Sequence, residues 1–493
     1  MPDSASEPYD LAVIGAGCAG LAGAVTASEL GLRVCLLDGS GQVGGQFFRH
    51  PAPALGALRP QALHHDWPAF AALRQRLEAS DTRRLLGHQV WTVTRGSGEL
   101  WTVHALSGVD GGAERPVRVH ARAVLLATGA YERQLPFPGW TLPGVVAAGG
   151  AQAMLKSGLA LPGKRIVVAG SGPLLLAVAS SLAAAGAQVP AIVEASGYLR
   201  YVTHARALVA NPRKVLQGAV HGASLLRHRV RPHSRSAVTA AHGTDRVEAV
   251  TVSRLDQDWR PVPGTGRRIS CDALAVGHGL VPQIELATGL GCATRRTPDG
   301  THALVLDGRQ ETSVPGVWAA GETGGVGGWE LARVEGELAG RAVAFRLRGV
   351  LVDPARVREL RRRRDRMRAF ADAMAVAHAP RPGWTHWLDD DTDVCRCEEV
   401  TARRVREAAA ELGARDARTV KLLTRAGMGW CQGRMCAAAV ACLAAGGGDE
   451  GVPPSPERRP LAVPVPLGLL GSPAGADEAG ADEAGINEAG ADE

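Results

Sequence analysis

The chain opens on an apolar run, YDLAVIG (residues 9–15), followed by a glycine turn, an alanine-rich stretch and a second apolar run, RVCLLD (33–38). Short continuous apolar runs bounded by turn residues read as buried parallel strands, and the longer stretch between them as the crossover helix. Residues 165–194 repeat the pattern: RIVVAGSG, a helix through SSLAAAG, then VPAIVEA. A βαβ unit duplicated in one chain predicts an α/β protein with two Rossmann-like dinucleotide-binding domains.

The intervening segments fit that plan. Mixed short strands and turns fill 80–120, including HQVWTV and LWTVHAL, before AVLLATGA at 123–130. CDALAVGHG (271–279) echoes that last run, and each reads as the strand that closes a nucleotide-binding sheet. VPGVWAAGE leads into a helix over 329–348 that returns the chain to its first domain. The expected domains are 8–150 with 295–350, an inserted second domain over 151–294, a helical linker over 351–388, and a small, mainly helical unit over 389–446. In that unit TARRVREAAAELGA has apolar positions at helical spacing. Residues 447–493 begin Pro-rich and end in AGADE repeats. With few large apolar side chains they are expected to be disordered.

Composition narrows the class. The 493 residues suffice for about three domains, and 45% apolar with 21% charged residues is ordinary for a soluble globular protein. The net charge of +6 is carried mostly by arginine. Its densest run, Arg358–Arg368, lies in a helical pattern without an aromatic base-stacking platform, which favours a solvated or partner-facing helix over nucleic-acid binding. The N-terminal MPDSASEPYD has neither a basic nor an apolar leader segment, and no apolar run reaches 18 residues. A cytoplasmic protein without a membrane span is expected.

The first turn, Gly15-Ala-Gly17-Cys18-Ala19-Gly20, follows a strand and opens a helix, with Asp38 at the end of the next strand. Gly15 permits the tight turn, Gly17 lets backbone approach a pyrophosphate, and Gly20 allows close helix–strand packing. The helix N-terminus faces the phosphates, and Asp38 can accept ribose hydroxyls. FAD is the expected occupant. Gly44-Gly45-Gln46 lies where the chain of such flavoproteins passes the cofactor, Thr128-Gly129 ends a strand at the crevice, and Val90 is a further contact. Gly321-Glu322 stands where flavoproteins of the glutathione-reductase type have Gly-Asp, and the glycines up to Gly328 would aim a helix N-terminus at the flavin ring.

The second turn keeps Gly170 and Gly172 but has Leu175 where the third glycine would stand, with Glu194 placed for a ribose. It is expected to hold NAD(H), another adenine nucleotide, or nothing. No C-x2-C or C-x4-C adjoins the flavin motifs, which argues against a disulfide reductase. His50, His64, His65 and His278 read as surface or packing residues.

Four of the nine cysteines stand together as C-x-C and C-x4-C: Cys395, Cys397, Cys431 and Cys436. Such thiolates hold a [2Fe-2S] cluster, and behind a flavoprotein that is the expected reading; a structural zinc site is the alternative. Cys18, Cys35, Cys271, Cys292 and Cys442 read as structural.

On GAGCAGLAGA, GGQFFRH, GSGPLLLAVA, GETGGVGGWELARVEGELAG, VCRCEEV and GMGWCQGRMC, the chain resembles the two-nucleotide-domain subunits of opine oxidases and hydrogen cyanide synthase and related amino-acid dehydrogenase α subunits. The resemblance covers residues 9–445, and its last two motifs are similar to bacterioferritin-associated-ferredoxin-type [2Fe-2S] domains. It implies that Cys395, Cys397, Cys431 and Cys436 are the cluster ligands, and that Gly427, Gly429 and Gly433 wrap backbone around the sulfides. It also implies that substrate is oxidised on a partner, a D-amino-acid-oxidase-like flavoprotein, with a small ferredoxin-like protein as a further partner. Two other readings stand beside this one: a self-contained NAD(P)H-dependent reductase, and a non-catalytic zinc-bearing scaffold.

Overall fold

The structure, a computed structural model, describes residues 7–64, 66–96, 98–108, 114–197, 201, 204–446 and 461–470. Its first sheet has seven strands: β1 (Tyr9–Ile14), β2 (Val34–Asp38), β3 (Arg83–Leu86), β4 (His88–Arg95), β5 (Trp101–Ser107), β6 (Arg115–Leu126) and β19 (Val317–Ala319). They run in the order β3-β2-β1-β6-β5-β4, with β19 also on β6. The strands β3, β2, β1, β6 and β19 are parallel, and β4–β5–β6 form an antiparallel meander.

On one face lie α1 (Cys18–Glu29), α2 (Trp67–Glu78) and α8 (Trp329–Arg348). The many glycines and alanines find their reason here. A Cβ on Gly336 would sit 2.1 Å from the Ala19 carbonyl, and one on Gly340 2.6 Å from the Gly23 carbonyl, so α1 and α8 pack backbone to backbone.

The second sheet is parallel, in the order β11 (Arg231–Ser234), β10 (Ala191–Glu194), β9 (Ile166–Gly170), β15 (Ala273–Gly277) and β8 (Val145–Ala147). Helices α3 (Ala148–Gly158), α4 (Leu174–Ala184) and α6 (Pro212–Arg227) cover one face, with α5 (Ala205–Val209) beside α6. An antiparallel sheet of β12 (Ser236–His242), β13 (Ala249–Arg254) and β14 (Arg267–Ser270) covers the other. The chain passes between the two units along β7 (Ala130–Glu132) and β16 (Leu280–Pro282), paired antiparallel.

These pairings move the expected boundaries. Val145–Ala147 already belongs to the second sheet, before residue 151. On the return, Ile284, Leu286, Ala287 and Cys292 are buried in the first unit's core, before residue 295. Helix α7 (Glu285–Gly289) and the hairpin β17 (Thr294–Arg296) with β18 (His302–Leu304) follow the crossing.

The expected linker is instead an integral element. Helix α9 (Pro354–His378) starts on Asp353, whose carboxylate accepts the Ala355 N–H at 2.8 Å, with Pro354 at the first helical position. It buries Leu360 and Met367 against Leu331, Val334 and Leu338 of α8. Its arginines divide by face: Arg356 bonds Glu337, Arg361 the Gly308 carbonyl, and Arg368 both Glu335 and the Gly325 carbonyl. Glu335 is 2% exposed and also accepts the Gly321 N–H at 3.0 Å. Removing one partner of a buried pair leaves an uncompensated charge, so Arg368→Ala should cost about 3–5 kcal/mol. Urea denaturation checks this, and a loss within experimental scatter would contradict the pairing.

The cysteine-bearing unit comprises a two-stranded ladder, β20 (Asp393–Cys395) with β21 (Val400–Thr401), and helices α10 (Ala402–Ala410), α11 (Ala417–Thr424) and α12 (Ala437–Ala444). It shares one core with the β12–β14 side of the second unit. Two tryptophans stitch the join: Trp140 Nε1 donates to the Asp393 carbonyl at 2.7 Å and Trp387 Nε1 to that of Trp259 at 3.0 Å. Part of the segment expected to be disordered is placed. Ala462 is buried, and its N–H donates to the Trp91 carbonyl of β4 at 2.8 Å. Residues 447–460 and 471–493, with the AGADE repeats, lie outside the described residues. Among the described residues no helix is long and apolar enough to cross a membrane.

Candidate functional site

The first turn is built by close backbone approach. Gly15 has φ +107°, and a Cβ there would meet the Ala127 carbonyl at 2.3 Å. A Cβ on Gly20 would meet the Gly15 carbonyl at 1.8 Å, and one on Gly45 the Gly17 Cα at 2.8 Å. Backbone packed this closely leaves no room for side chains, and the resulting tight turn at the N-terminus of α1 fits the pyrophosphate of a dinucleotide. Asp38 accepts the Ala16 N–H at 2.6 Å and the Ser40 N–H at 2.7 Å, which holds its carboxylate beside the turn with lone pairs left for a ribose. Cys18 and Ala19 are buried in the first turn of α1, and burial, then Glu322, push the Cys18 thiol up to about 12, so it stays protonated.

The other expected contacts divide. Gly129 (φ +80°) and Gly328 (φ +84°) have no atom within 4 Å of where a Cβ would stand, so backbone is bare on both sides of the crevice. Gln46 is exposed, and its side-chain oxygen accepts from Arg49 at 3.0 Å. The Thr128 hydroxyl donates to the Gln283 carbonyl at 2.5 Å, tying the end of β6 to the returning chain. Val90 is 5% exposed, its side chain in the core of the first sheet. Glu322 does not project freely: its carboxylate accepts the Gly327 and Gly328 N–H groups at 2.8 and 3.0 Å. The longer side chain reaches back to cap the start of α8, and burial pushes its pKa up against those two bonds.

One residue beside this site carried no sequence signal. Lys156 of α3 is buried, donates to the Phe47 carbonyl at 2.8 Å and lies 5.2 Å over the Phe47 ring. It ties the second unit to the GGQFF loop, and burial lowers its pKa to about 8. His50 and His64 pack among Phe48, Trp67 and Phe70. His278 is buried, and burial with Arg133 nearby holds it down to about 3, hence neutral. His65 lies outside the described residues.

The second turn reproduces the first in backbone but not in access. A Cβ on Gly170 (φ +137°) would meet the Gly277 carbonyl at 1.7 Å, and Glu194 accepts the Gly172 N–H at 3.0 Å much as Asp38 accepts that of Ala16. The C-terminus of α9 then closes it. His378 Nδ1 lies 3.4 Å from Glu194, its carbonyl accepts the Ser171 hydroxyl at 3.2 Å, and its Nε2 is 2.5 Å from the Tyr201 hydroxyl. The carboxylate that would receive a ribose is satisfied within the chain, and its surroundings are buried.

The four cysteines converge. Cys436 hydrogen-bonds Cys395, which holds the Cys395 thiol down to about 6 and pushes that of Cys436 up. Cys397 and Cys431 share a second side-chain bond. The Gly427 N–H donates to Cys395 Sγ at 3.4 Å. A Cβ on Gly429 would strike that of Cys397 at 2.3 Å, so both glycines bring backbone against the cysteines. Cys395 and Cys436 are buried, whereas Cys397 is exposed. Among the described residues no three His, Cys, Asp or Glu side chains are disposed about a single metal ion. The four thiols act on one another electrostatically, and such a set of soft ligands fits a [2Fe-2S] cluster.

Comparison with known proteins agrees with both centres. The family model for pyridine nucleotide-disulphide oxidoreductases matches residues 9–336, and that for the BFD-like [2Fe-2S] binding domain matches residues 394–445. Hydrogen cyanide synthase subunit HcnB of Pseudomonas aeruginosa is 34% identical over 437 residues, covering 86% of this chain and 90% of that protein. An opine oxidase subunit of Agrobacterium tumefaciens is 34% identical over 444 residues, covering 88% and 85%. Among solved structures, L-proline dehydrogenase from P. horikoshii superposes with a TM-score of 0.68 at 21% identity, over 94% of this chain and 80% of that one, a likeness of fold.

Proposed function

Because the chain belongs to the pyridine nucleotide-disulphide oxidoreductase family, as a flavoprotein with a BFD-like [2Fe-2S] domain, we propose that it is the electron-transfer subunit of a heteromeric amine or amino-acid dehydrogenase or oxidase. Its substrate class would be an opine, glycine, proline or hydroxyproline, oxidised on a partner flavoprotein of the D-amino-acid-oxidase type. The relatives at 34% identity are themselves subunits by name, which supports the heteromeric reading. The observation that carries the proposal is the meeting of four thiols in a unit packed into the same body as an open glycine turn.

When bound at these sites, FAD supplies an exchange between two-electron and one-electron chemistry and the cluster a one-electron relay. The chain's own part is to hold and insulate them. Gly15, Gly17, Gly20 and Gly45 would cradle the pyrophosphate, and Asp38 would accept the ribose. Gly129 and Gly328 leave backbone bare along the crevice, while Gly321 lies close on Ala19 of α1. Glu322 fixes the loop that starts α8, whose dipole would favour negative charge on the ring. Cys395, Cys397, Cys431 and Cys436 would ligate iron, with the Gly427 N–H stabilising charge on Cys395.

The closure at His378 speaks against nicotinamide as reductant. Added NADH should leave the flavin absorbance unchanged over minutes; rapid bleaching would mean that the end of α9 withdraws and would revive the self-contained reductase. The division of labour is tested by stopped-flow reduction with candidate amino acids, with and without the partner. Reduction should require the partner, and full activity of the isolated chain would refute the proposal.

A further inference from the structure

We propose that Arg434 and Glu285 form the joint that registers the four-cysteine loop on the first nucleotide crevice and sets the electrostatic level of the centre, an inference that rests on the cluster assignment above. Arg434 stands between Cys431 and Cys436, yet its side chain leaves its own unit. Its Nε lies 2.9 Å from Glu285 Oε1, with side chains 16% and 7% exposed. Its Nη1 bonds back to the Cys431 carbonyl at 3.4 Å, and its Nη2 bonds the carbonyl of Ala462, the residue already pinned to β4.

Glu285 opens α7 two residues after Gln283. The Gln283 N–H donates to the Gly129 carbonyl at 2.9 Å, and its own carbonyl accepts from Thr128. Short links therefore join the ligand loop to the bare backbone where a flavin would lie. Contacts through the second unit reach the cysteines from the other side, by way of Trp140 and Asp393.

A buried ion pair can act simply as glue between units. Two features go beyond that role. Glu285 Oε2 is buried with no hydrogen-bond partner among the described residues, so its charge is answered by Arg434 through one oxygen only. A buried cation bonded to a ligand's own carbonyl, and neutralised one step further out, also acts on any charge change at the four sulfurs. Arg434 and Glu285 are positioning residues, since they act through the Cys431 loop.

The signs make this testable. Reduction adds negative charge to a cluster, so an uncompensated carboxylate nearby lowers its potential and an unopposed cation raises it. Arg434→Gln should lower the midpoint potential, Glu285→Gln should raise it, and the double variant should return near the unaltered value. The measurement is an EPR-monitored redox titration of the purified holoprotein and each variant. Arg434→Lys keeps the charge but loses the fork, so it should nearly preserve the potential while amide exchange in residues 427–436 rises several-fold. If Arg434→Gln fails to fold, the upward shift in Glu285→Gln alone supports the proposal. Shifts of one sign in both variants, or none in either, would overturn it while leaving the proposed function standing. An unaltered chain without a cluster would overturn both.

Discussion

Cys436→Ser should abolish the acid-labile sulfide of the purified protein, a loss of about tenfold or more, because a hard hydroxyl is a poor ligand for iron where a thiolate is needed. Cys436 is 1% exposed, its thiol bonds Cys395, and it stands immediately before α12, so it is both ligand and anchor. The unit itself should stay folded. Val440, Leu443 and Ala444 of α12 share a core with Trp384 and Trp387 that serine at 436 leaves in place. Cys442→Ser is the control, for its thiol is half-buried and bonds Trp384 rather than another cysteine. It should retain full sulfide. Equal sulfide in both variants would contradict the ligand set.

The second large effect lies at the first turn. Gly15→Ala combines an unfavourable φ of +107° with a backbone collision at 2.3 Å, and the colliding carbonyl belongs to Ala127, which continues the central strand. The cost should be about 3 kcal/mol, which corresponds to about a hundredfold loss of flavin affinity if it falls on the bound state. Gly172→Ala is the matched comparison at the second turn. Its φ is +121°, but nothing stands within 4 Å, so backbone strain alone should cost about 1–2 kcal/mol. It should also leave flavin content unchanged. Flavin absorbance per chain and urea denaturation separate the two, and equal flavin loss in both would mean that the second turn holds the flavin.

Local signals account for what the sequence reveals. The two βαβ units, their glycine turns and the acidic residues Asp38 and Glu194 follow from apolar runs and fixed offsets. The helix expected over 329–348 is α8. The cysteine spacing led to the converged thiols, and the resemblance to the opine oxidase and hydrogen cyanide synthase subunits is borne out by relatives at 34% identity.

The differences come from contacts that periodicity does not encode. Nothing near Glu194 announces that His378, on a helix far along the chain, will occupy it. Nor does the position of Glu322 announce that its carboxylate accepts two N–H groups of its own loop. The tail from 447 reads as disordered when taken whole, yet its apolar stretch LAVPVPLGLL (461–470) is placed, with Ala462 buried, its N–H on the Trp91 carbonyl and its own carbonyl accepting from Arg434.

The central claim is that one polypeptide carries a flavin and an iron–sulfur centre together. Chain purified without oxygen and assayed for flavin, iron and inorganic sulfide decides it most directly. The account predicts one flavin with two irons and two sulfides per chain. Zinc without sulfide, or sulfide without flavin, would contradict it.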